Sequence, residues 1–336
     1  MSFGAVHVKD LPAFVAECDA RGGIASPEVR RDTADFSLRF DTTVDTGLDG
    51  FDPAYVDAQI ALYAEISGRH LDQTENERTV VDIEAAVAAA NPYDSRNPMQ
   101  IAPHVRTIAS AVMASDLPAG ARVLDMGCGW GLSTEVFAFS GCEIAAVDIN
   151  PAFVEVVRRR AERRGYHVIT HCSSFDDFAS DEYFDLVFFY ESLHHAVRPW
   201  DLLVKAADWL APGGKLTIAG EPIQDTWWPQ WGLRLDAESV YCIHKHGWFE
   251  AGWSSEFLHR CFRHAGLELT LLPGLGIGLS SVGVATKPHD GERRPSTDGL
   301  LPADPPIDLA LITAADLGAE LRQRVANRVR RRIHRS

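Results

Sequence analysis

From Met99 to Lys287, short apolar runs alternate with segments that repeat apolar residues at helical spacing. Short apolar runs predict buried strands, and a period near 3.6 predicts amphipathic helices. The predicted strands are ARVLDMG (121–127), CEIAAVDI (142–149), HVITHC (167–172), YFDLVFFYES (183–192), KLTIAGE (215–221), LELTLLP (267–273) and SVGVATK (281–287). Strands that alternate with helices are joined by crossovers, so we expect an α/β fold whose parallel sheet has helices on both faces.

Helical periodicity also indicates where the flanking segments lie. Helices are predicted at 11–20, 54–67, 79–90, 104–115, 151–164, 200–210 and 254–265, with a further helix from Ser133. Residues 1–95 mix helical and strand patterns, with a short strand predicted at 36–44. We expect them to form an N-terminal extension that covers part of the site where a substrate (the acceptor) binds. The turn-rich NPYDSRNP (91–98) closes this extension. The main domain is therefore placed at 96–290.

An insertion at 222–253 interrupts the alternation after the fifth strand and contains five of the eight tryptophans. Flat aromatic faces with polar edges suit stacking on the C–H surfaces of a sugar. The insertion is therefore either a lid over the acceptor or a second small core.

The most informative stretch is VLDMGCGWGLS (123–133), a strand that ends in a glycine-rich turn. Glycines occupy every second position: Gly127, Gly129 and Gly131. A dinucleotide turn needs a small residue where this chain has Leu132. Asp125 would repel a pyrophosphate but suits an ammonium or sulfonium cation, and Asp148, at the end of the next strand, suits ribose hydroxyls. These residues favour a cationic nucleoside without phosphate over the cofactor of an NAD-type dehydrogenase.

With these features the chain resembles the class I S-adenosylmethionine-dependent methyltransferases over about residues 95–290. The motifs that carry the resemblance are VLDMGCGWG, AAVDINP, HCSSFDDF, FDLVFFYESLHHA and LAPGGKLTIAGEP. The resemblance implies a Rossmann-like seven-stranded sheet and S-adenosyl-L-methionine as the cofactor. A narrower likeness, in ALYAEISGR, EPI, WGLRLDAESV and HGWFEAGW, is to a bacterial subgroup associated with glycosyltransferases and glycan biosynthesis. It implies a saccharide or glycan acceptor.

The resemblance also implies which residues bind the cofactor. The glycine turn would pass beneath its methionine and ribose parts, with Asp125 holding the ammonium group. Asp148 would bind the ribose diol, and Ile149 would pack on the adenine. The full predicted set is Asp125, Gly127, Cys128, Gly129, Trp130, Gly131, Asp148, Ile149, Ser174, Phe175, Tyr190 and Glu191.

Candidate catalytic residues follow the fourth and fifth strands. Methyl transfer from a sulfonium is an in-line displacement, and a hydroxyl acceptor must also lose a proton, which a histidine accepts near neutral pH. His194 and His195 are candidate bases, although either of them could instead pack the following loop. Glu221 either orients a histidine, binds a sugar hydroxyl or forms a buried salt bridge, and His246 completes the predicted set. His244, His246 and Glu221 lack a well-spaced further ligand, so no metal is predicted.

Composition narrows the function classes. A net charge of −15 argues against a nucleic-acid partner. Six cysteines without a CxxC pair argue against a disulfide framework or a zinc cluster. With no apolar run of about 20 residues and no secretory signal, we expect a cytoplasmic protein.

The C-terminal part has a different pattern from the acidic body. Residues 291–306 are expected to be a linker, and 307–336 a basic amphipathic helix with seven arginines. Such a helix suits anionic lipid at the inner membrane face or an acidic protein surface, whereas a frayed terminus is the alternative.

The sequence thus predicts a methyltransferase that modifies a sugar or glycan hydroxyl with a histidine as general base. Two alternatives stay open at this point. One is a natural-product O- or N-methyltransferase that acts on a non-sugar small molecule. The other is a catalytically silent subunit that binds the cofactor and regulates a partner.

Overall fold

The computed structural model describes residues 3–223, 227–272 and 281–289. The helices in these ranges are α1 (Leu11–Ala20), α2 (Pro27–Asp32), α3 (Pro53–Ser67), α4 (Gln73–Asn76), α5 (Ile83–Ala88), α6 (Pro98–Ser115), α7 (Leu132–Phe139), α8 (Pro151–Arg164), α9 (Pro199–Asp208), α10 (Ala237–His246) and α11 (Ser255–His264). The strands are β1 (Ala5–His7), β2 (Ser37–Arg39), β3 (Arg122–Met126), β4 (Glu143–Asp148), β5 (Val168–Cys172), β6 (Phe184–Tyr190), β7 (Leu210–Ala219), β8 (Trp231–Leu233), β9 (Ala251–Trp253), β10 (Leu269–Leu272) and β11 (Val282–Thr286).

A seven-stranded sheet in the order β10-β11-β7-β6-β3-β4-β5 organises the fold. The five strands from β7 to β5 pair in parallel, which confirms the predicted α/β class. One edge departs from the parallel arrangement, because β11 lies between β7 and β10 and is antiparallel to both. Val123 and Leu124 of β3 enter different hydrophobic cores, so both faces of the sheet are buried.

Local signals set the ends of the helix that follows β4. The side chain of Asn150 accepts a hydrogen bond from the amide of Ala152, and Pro151 occupies the first helical turn. Gly165 ends α8 in the left-handed conformation, with φ of 71°. The predicted helix at 151–164 therefore has the bounds of α8.

Several predicted bounds are wrong by a few residues. Helix α6 begins at Pro98 rather than at 104, because Asn97 caps it and the helix continues through Pro103. Strand β7 begins at Leu210, five residues before the predicted start, and the strand predicted at 36–44 is limited to β2. The predicted helix at 79–90 is reduced to α5, which Asp82 caps.

The N-terminal extension and the tryptophan-rich insertion share one core. Gln59 of α3 accepts a hydrogen bond from the amide of Leu233, at 3.0 Å, and the indole of Trp231 donates to the carbonyl of Gly50, at 2.7 Å. Trp231 and Trp253 are buried. These tryptophans are therefore core residues, and the extension is fixed against the insertion.

Among the described residues, no helix is both long and apolar enough to cross a membrane. The predicted linker at 291–306 and the predicted basic helix at 307–336 lie outside the described residues.

Candidate active site

The glycine turn after β3 has a backbone that other residues adopt only with strain. Gly127 has φ of 72°, and a Cβ atom placed there would lie 2.6 Å from Cβ of Ser192. A Cβ atom at Gly131, where φ is 85°, would lie 2.7 Å from Val157 of α8. The first glycine thus lets the ends of β3 and β6 approach each other, and the last lets α7 pack on α8.

A cavity of about 720 Å³, the first cavity, opens beside this turn at the carboxyl ends of the parallel strands. The predicted cofactor residues that line it are Gly127, Gly129, Trp130, Asp148, Ile149, Ser174, Phe175 and Glu191. Ligands of open α/β sheets bind at this edge, so the cavity is where the fold places a nucleoside.

Asp148 is fixed in the wall of the first cavity by backbone donors. Its carboxylate accepts hydrogen bonds from the amides of Gly129 and Asn150, each at 2.8 Å. Burial raises the pKa of Asp148, while these two amides stabilise its charged form. Both oxygens keep lone pairs with which they can accept bonds from a ribose diol.

Asp125 lies behind the turn rather than in the wall of the first cavity. It is fully buried, and one oxygen accepts hydrogen bonds from Ser133 at 2.8 Å and Thr134 at 2.6 Å. The other oxygen has no hydrogen-bond partner among the described residues. This oxygen is buried away from the first cavity, so in this structure it does not meet a ligand there, and the fit to S-adenosyl-L-methionine rests on Asp148 and the glycine turn.

Three other predicted cofactor residues do not line the first cavity. Cys128 is buried, and burial raises the pKa of its thiol, which disfavours a nucleophilic role. Gly131 packs on α8, and the hydroxyl of Tyr190 lies 2.6 Å from Nδ1 of His104. In this structure their positions support the turn and the sheet rather than a bound nucleoside.

Burial of Asp125 leads to a prediction about stability. Burial, opposed by the bonds from Thr134 and Ser133, raises its pKa from 3.8 to about 6. Because the pKa of Asp125 is higher in the folded state than in the unfolded state, the protonated carboxyl favours folding. This contribution to the free energy of unfolding is present below about pH 4 and is lost as the pH rises through 6. We expect the free energy of unfolding of Asp125→Asn, relative to that of wild type, to be about 2–3 kcal/mol higher at pH 7.5 than at pH 4. Urea unfolding at the two pH values measures this difference.

Asp57→Asn, on the exposed face of α3, is the control for this measurement and should show no such gain. If the stability difference between Asp125→Asn and wild type were the same at both pH values, the carboxylate would not be under this strain.

The histidine pair lies on a 3₁₀ turn, Leu193–His195, that Glu221 holds from the end of β7. The carboxylate of Glu221, fully buried, accepts bonds from the backbone amides of Ser192, Leu193 and His194, at 2.9–3.1 Å. It also lies 2.9 Å from Nδ1 of His194. Glu221 therefore orients His194 in a buried ion pair, as two of the predicted alternatives have it, and also fixes the turn.

The other nitrogen of His194, Nε2, lies 3.5 Å from a carboxylate oxygen of Glu250. Burial opposes a charge on His194, but Glu221 and Glu250 outweigh this effect and raise its pKa above the ordinary value. Burial likewise opposes the charge of Glu250, and His194 more than compensates, so that the pKa of Glu250 is low. His194 is thus held between two carboxylates.

His195 is less enclosed than its neighbour and lines two cavities. Its Nδ1 lies 3.3 Å from the carboxylate of Glu77, and its ring centroid is 4.4 Å from that of His194. Burial lowers the pKa of His195, but the charge and hydrogen bond of Glu77 together with the charge of Glu250 outweigh burial, so the pKa is raised. His195 is therefore a histidine with access to ligands and an acidic partner behind it.

The structure does not bring His246 to this pair. Its ring stacks on Trp248 with centroids 4.8 Å apart, and it lines neither cavity. Nδ1 of His244 lies 2.7 Å from the carbonyl of Ile66. The structure therefore does not bring His244 and His246 together with Glu221, because both histidines of α10 have other contacts.

A second cavity, of about 730 Å³, adjoins the first and is lined by His194, Glu221, Trp227, Arg234 and Glu250 among others. Glu191, His195 and Trp248 line both cavities. Glu191 has a strained backbone with φ of 49°, which places its carboxyl group at this junction. Burial raises the pKa of Glu191 to about 7.

Sequence reasoning missed two acidic partners of the histidines. Glu250 lies in the quoted motif HGWFEAGW, but the motif alone does not show that it meets the histidine turn. Glu77 lies in LDQTENERT, where neither periodicity nor spacing singles it out. Its side chain also accepts a bond from the amide of Phe249, at 2.8 Å.

Part of the chain is similar to known proteins. Residues 124–218 match the model of a methyltransferase domain. The ubiquinone biosynthesis O-methyltransferase of Xanthomonas axonopodis pv. citri (strain 306) is 39% identical over 104 residues, which is 30% of this chain and 44% of that protein. The enzyme of the same name from Xanthomonas euvesicatoria pv. vesicatoria (strain 85-10) is 39% identical over 103 residues, covering 30% and 43%. The chain thus spans less than half the length of these curated relatives.

Solved structures are similar at low sequence identity. A SAM-bound amino pentose methyltransferase from Micromonospora echinaspora has a TM-score of 0.42 and 18% identity, over 57% of this chain and 98% of that one. The N-methyltransferase NodS from Bradyrhizobium japonicum WM9, in complex with S-adenosyl-L-homocysteine, has a TM-score of 0.42 and 20% identity, over 65% and 100%.

The domain match confirms the prediction of a methyltransferase domain that uses S-adenosyl-L-methionine. The match extends from Leu124 in β3 to Ile218 in β7 and so includes the glycine turn, Asp148 and the histidine turn. The glycosyltransferase-associated subgroup stays a prediction.

Proposed function

We propose that the whole chain is an S-adenosylmethionine-dependent O-methyltransferase, with the cofactor in the first cavity and the acceptor in the second. One observation carries the proposal: the two cavities meet at Glu191, His195 and Trp248. An in-line displacement needs its two reactants on opposite sides of one point of contact. The junction supplies that point.

S-adenosyl-L-methionine, when bound, supplies an electrophilic methyl group on a positively charged sulfur. Asp148 binds the ribose hydroxyls, and the glycine turn allows close approach of the backbone. His195 accepts the proton of the acceptor hydroxyl at a ring nitrogen, and the carboxylate of Glu77 stabilises the imidazolium that forms. With the cofactor bound, the chemistry supplied would be transfer of this methyl group from sulfur to the acceptor oxygen, with S-adenosyl-L-homocysteine as the other product.

The second cavity favours a sugar or glycan hydroxyl as the acceptor. Trp227 and Trp248 offer aromatic faces, and the guanidinium of Arg234 lies 5.6 Å from the ring of Trp227. Glu238 and Ser239 line the same cavity and add hydrogen-bonding groups. Aromatic faces with polar groups at their edges suit a polyhydroxylated ring.

An aromatic hydroxyl is the second candidate, since the name of the Xanthomonas relatives is ubiquinone biosynthesis O-methyltransferase. The test is transfer of labelled methyl from S-adenosyl-L-methionine to panels of glycans, nucleoside-diphosphate sugars and phenols, followed by mass spectrometry. A methyl ether on a sugar supports the proposal. Turnover of phenols alone would favour the second candidate, and cofactor binding without transfer to any panel would favour the silent subunit.

Removal of the carboxylate at Asp148 should weaken cofactor binding. Charged hydrogen bonds to the ribose are lost, and we expect Asp148→Ala to lower affinity for S-adenosyl-L-methionine by about 1–3 kcal/mol in calorimetry. Asp57→Ala, on the exposed face of α3, is the control and should bind as wild type does. Equal affinity of both variants would remove Asp148 from the site.

A cytoplasmic location and contact of the tail with lipid or protein complete the proposal. Both stay predictions, with residues 307–336 as the segment that would make the contact.

A further inference from the structure

We propose that His194, His195 and Glu250 form a binding site for a divalent transition-metal ion in the wall of the second cavity. Each of these residues offers one ligand atom, and the three atoms lie within 4.8 Å of one another. Two imidazoles and a carboxylate are a ligand set that suits zinc and neighbouring first-row metals and leaves a coordination position open.

The orientation of His194 is the first argument. The carboxylate of Glu221 lies within hydrogen-bond distance of Nδ1 of His194. The hydrogen bonds that it accepts from three backbone amides hold this carboxylate in place. If Nδ1 carries the proton, the lone pair of Nε2 is directed into the space in front of Glu250. Metal-binding histidines are oriented in this way, with a carboxylate behind the nitrogen that does not bind the metal.

The contact between His194 and Glu250 is the second argument. Nε2 and the carboxylate oxygen are 3.5 Å apart, longer than the 2.7–2.9 Å typical of a charge-assisted hydrogen bond. A lone pair that faces a carboxylate is repelled unless a proton or a cation lies between them. A metal ion would bind both atoms.

Charge balance is the third argument. Glu221 and Glu250 are buried against the histidine pair, and Glu77 faces His195. Arg234 offsets part of this charge, since its guanidinium lies 3.5 Å from Glu250. A divalent ion bound among these side chains would compensate the negative charge that Arg234 does not offset.

A metal ion here has a direct consequence for the reaction, and this consequence rests on the proposed function. The site faces the acceptor cavity, where a bound ion lowers the pKa of a hydroxyl. In the metal-bound form His195 would be a ligand, and its role as proton acceptor in the proposed function would belong to the metal-free form. The hydroxyl proton would pass to the carboxylate of Glu191 at the junction of the cavities.

The test measures metal binding by the full chain without cofactor or acceptor. Protein treated with a chelator and then freed of it is titrated with Zn²⁺ in a calorimeter, and with Co²⁺ while the visible absorption is recorded. We expect one site per chain, with a Co²⁺ spectrum of low coordination number. His194→Ala and Glu250→Gln should each weaken binding at least tenfold, whereas His259→Ala and Glu256→Gln on α11 should bind as wild type does.

Glu250→Gln keeps the shape of the side chain, and circular dichroism of each variant shows whether it is folded. Absence of binding by folded wild type, or equal binding by wild type and folded Glu250→Gln, would overturn the metal site. Methyl transfer at full rate by protein shown to be metal-free would overturn the role of the ion in the reaction and leave the proposed function intact. Metal binding with the expected variant pattern but no methyl transfer to any acceptor would leave the site intact and reject the proposed function.

Discussion

Replacement of His195 by alanine is expected to lower kcat about 10²–10⁴-fold while affinity for S-adenosyl-L-methionine stays unchanged. His195 lies at the junction of the two cavities with Glu77 behind it, so its loss removes a group that acts on the acceptor. Asp148 and the glycine turn, which hold the cofactor, are left intact. Steady-state kinetics on the acceptor found in the panel, with calorimetry of the cofactor, separates the two effects.

The matched control is His259→Ala on α11, where Nδ1 of the histidine lies 2.7 Å from the carbonyl of Ser255 and the residue lines neither cavity. This variant should turn over as wild type does. If His195→Ala kept wild-type turnover, the junction would not be where the hydroxyl is activated.

Gly127→Ala is expected to lower the free energy of unfolding by about 2–5 kcal/mol and to weaken cofactor binding. A left-handed backbone costs a residue with a Cβ atom about 1–2 kcal/mol, and overpacking adds about 1–3 kcal/mol. The new Cβ atom would lie 2.6 Å from that of Ser192, whose hydroxyl donates to the carbonyl of Met126 at 2.7 Å. Chemical unfolding and calorimetry measure both effects.

Gly120→Ala isolates the contribution of the contact. Gly120 has the same φ of 72°, and its added Cβ would have no atom of the described residues within 4 Å apart from its chain neighbours. It lines neither cavity. It should lose only about 1–2 kcal/mol and bind the cofactor normally. Equal losses in the two variants would mean that close approach of β3 and β6 is not what the glycine provides.

Much of the sheet could be predicted because local signals and apolar runs coincide there. The cap at Asn150, the proline after it and Gly165 fix α8 without help from distant residues. The position of β11 could not be predicted in this way, since its place between β7 and β10 depends on pairing partners distant in sequence. Strand order is a tertiary property, and periodicity reports only burial.

In the candidate site, too, some residues could be predicted from local sequence signals, whereas others are brought together only by tertiary packing. The glycine turn and Asp148 belong to one continuous motif, and the structure places both at the first cavity. Glu77 and Glu250 come from the extension and the insertion, and they meet the histidine turn only when these segments pack together. The same packing decides which tryptophans of the insertion are core residues and which line a cavity. Trp231 lies in the shared core, whereas Trp248 lines both cavities.

A crystal structure of the full chain with S-adenosyl-L-homocysteine would show directly whether the first cavity binds the cofactor. We expect ligand density in the first cavity, with the ribose hydroxyls hydrogen-bonded to the carboxylate of Asp148 and the sulfur directed toward Glu191 and His195. A nucleoside bound elsewhere, or a first cavity without density at saturating ligand, would contradict it.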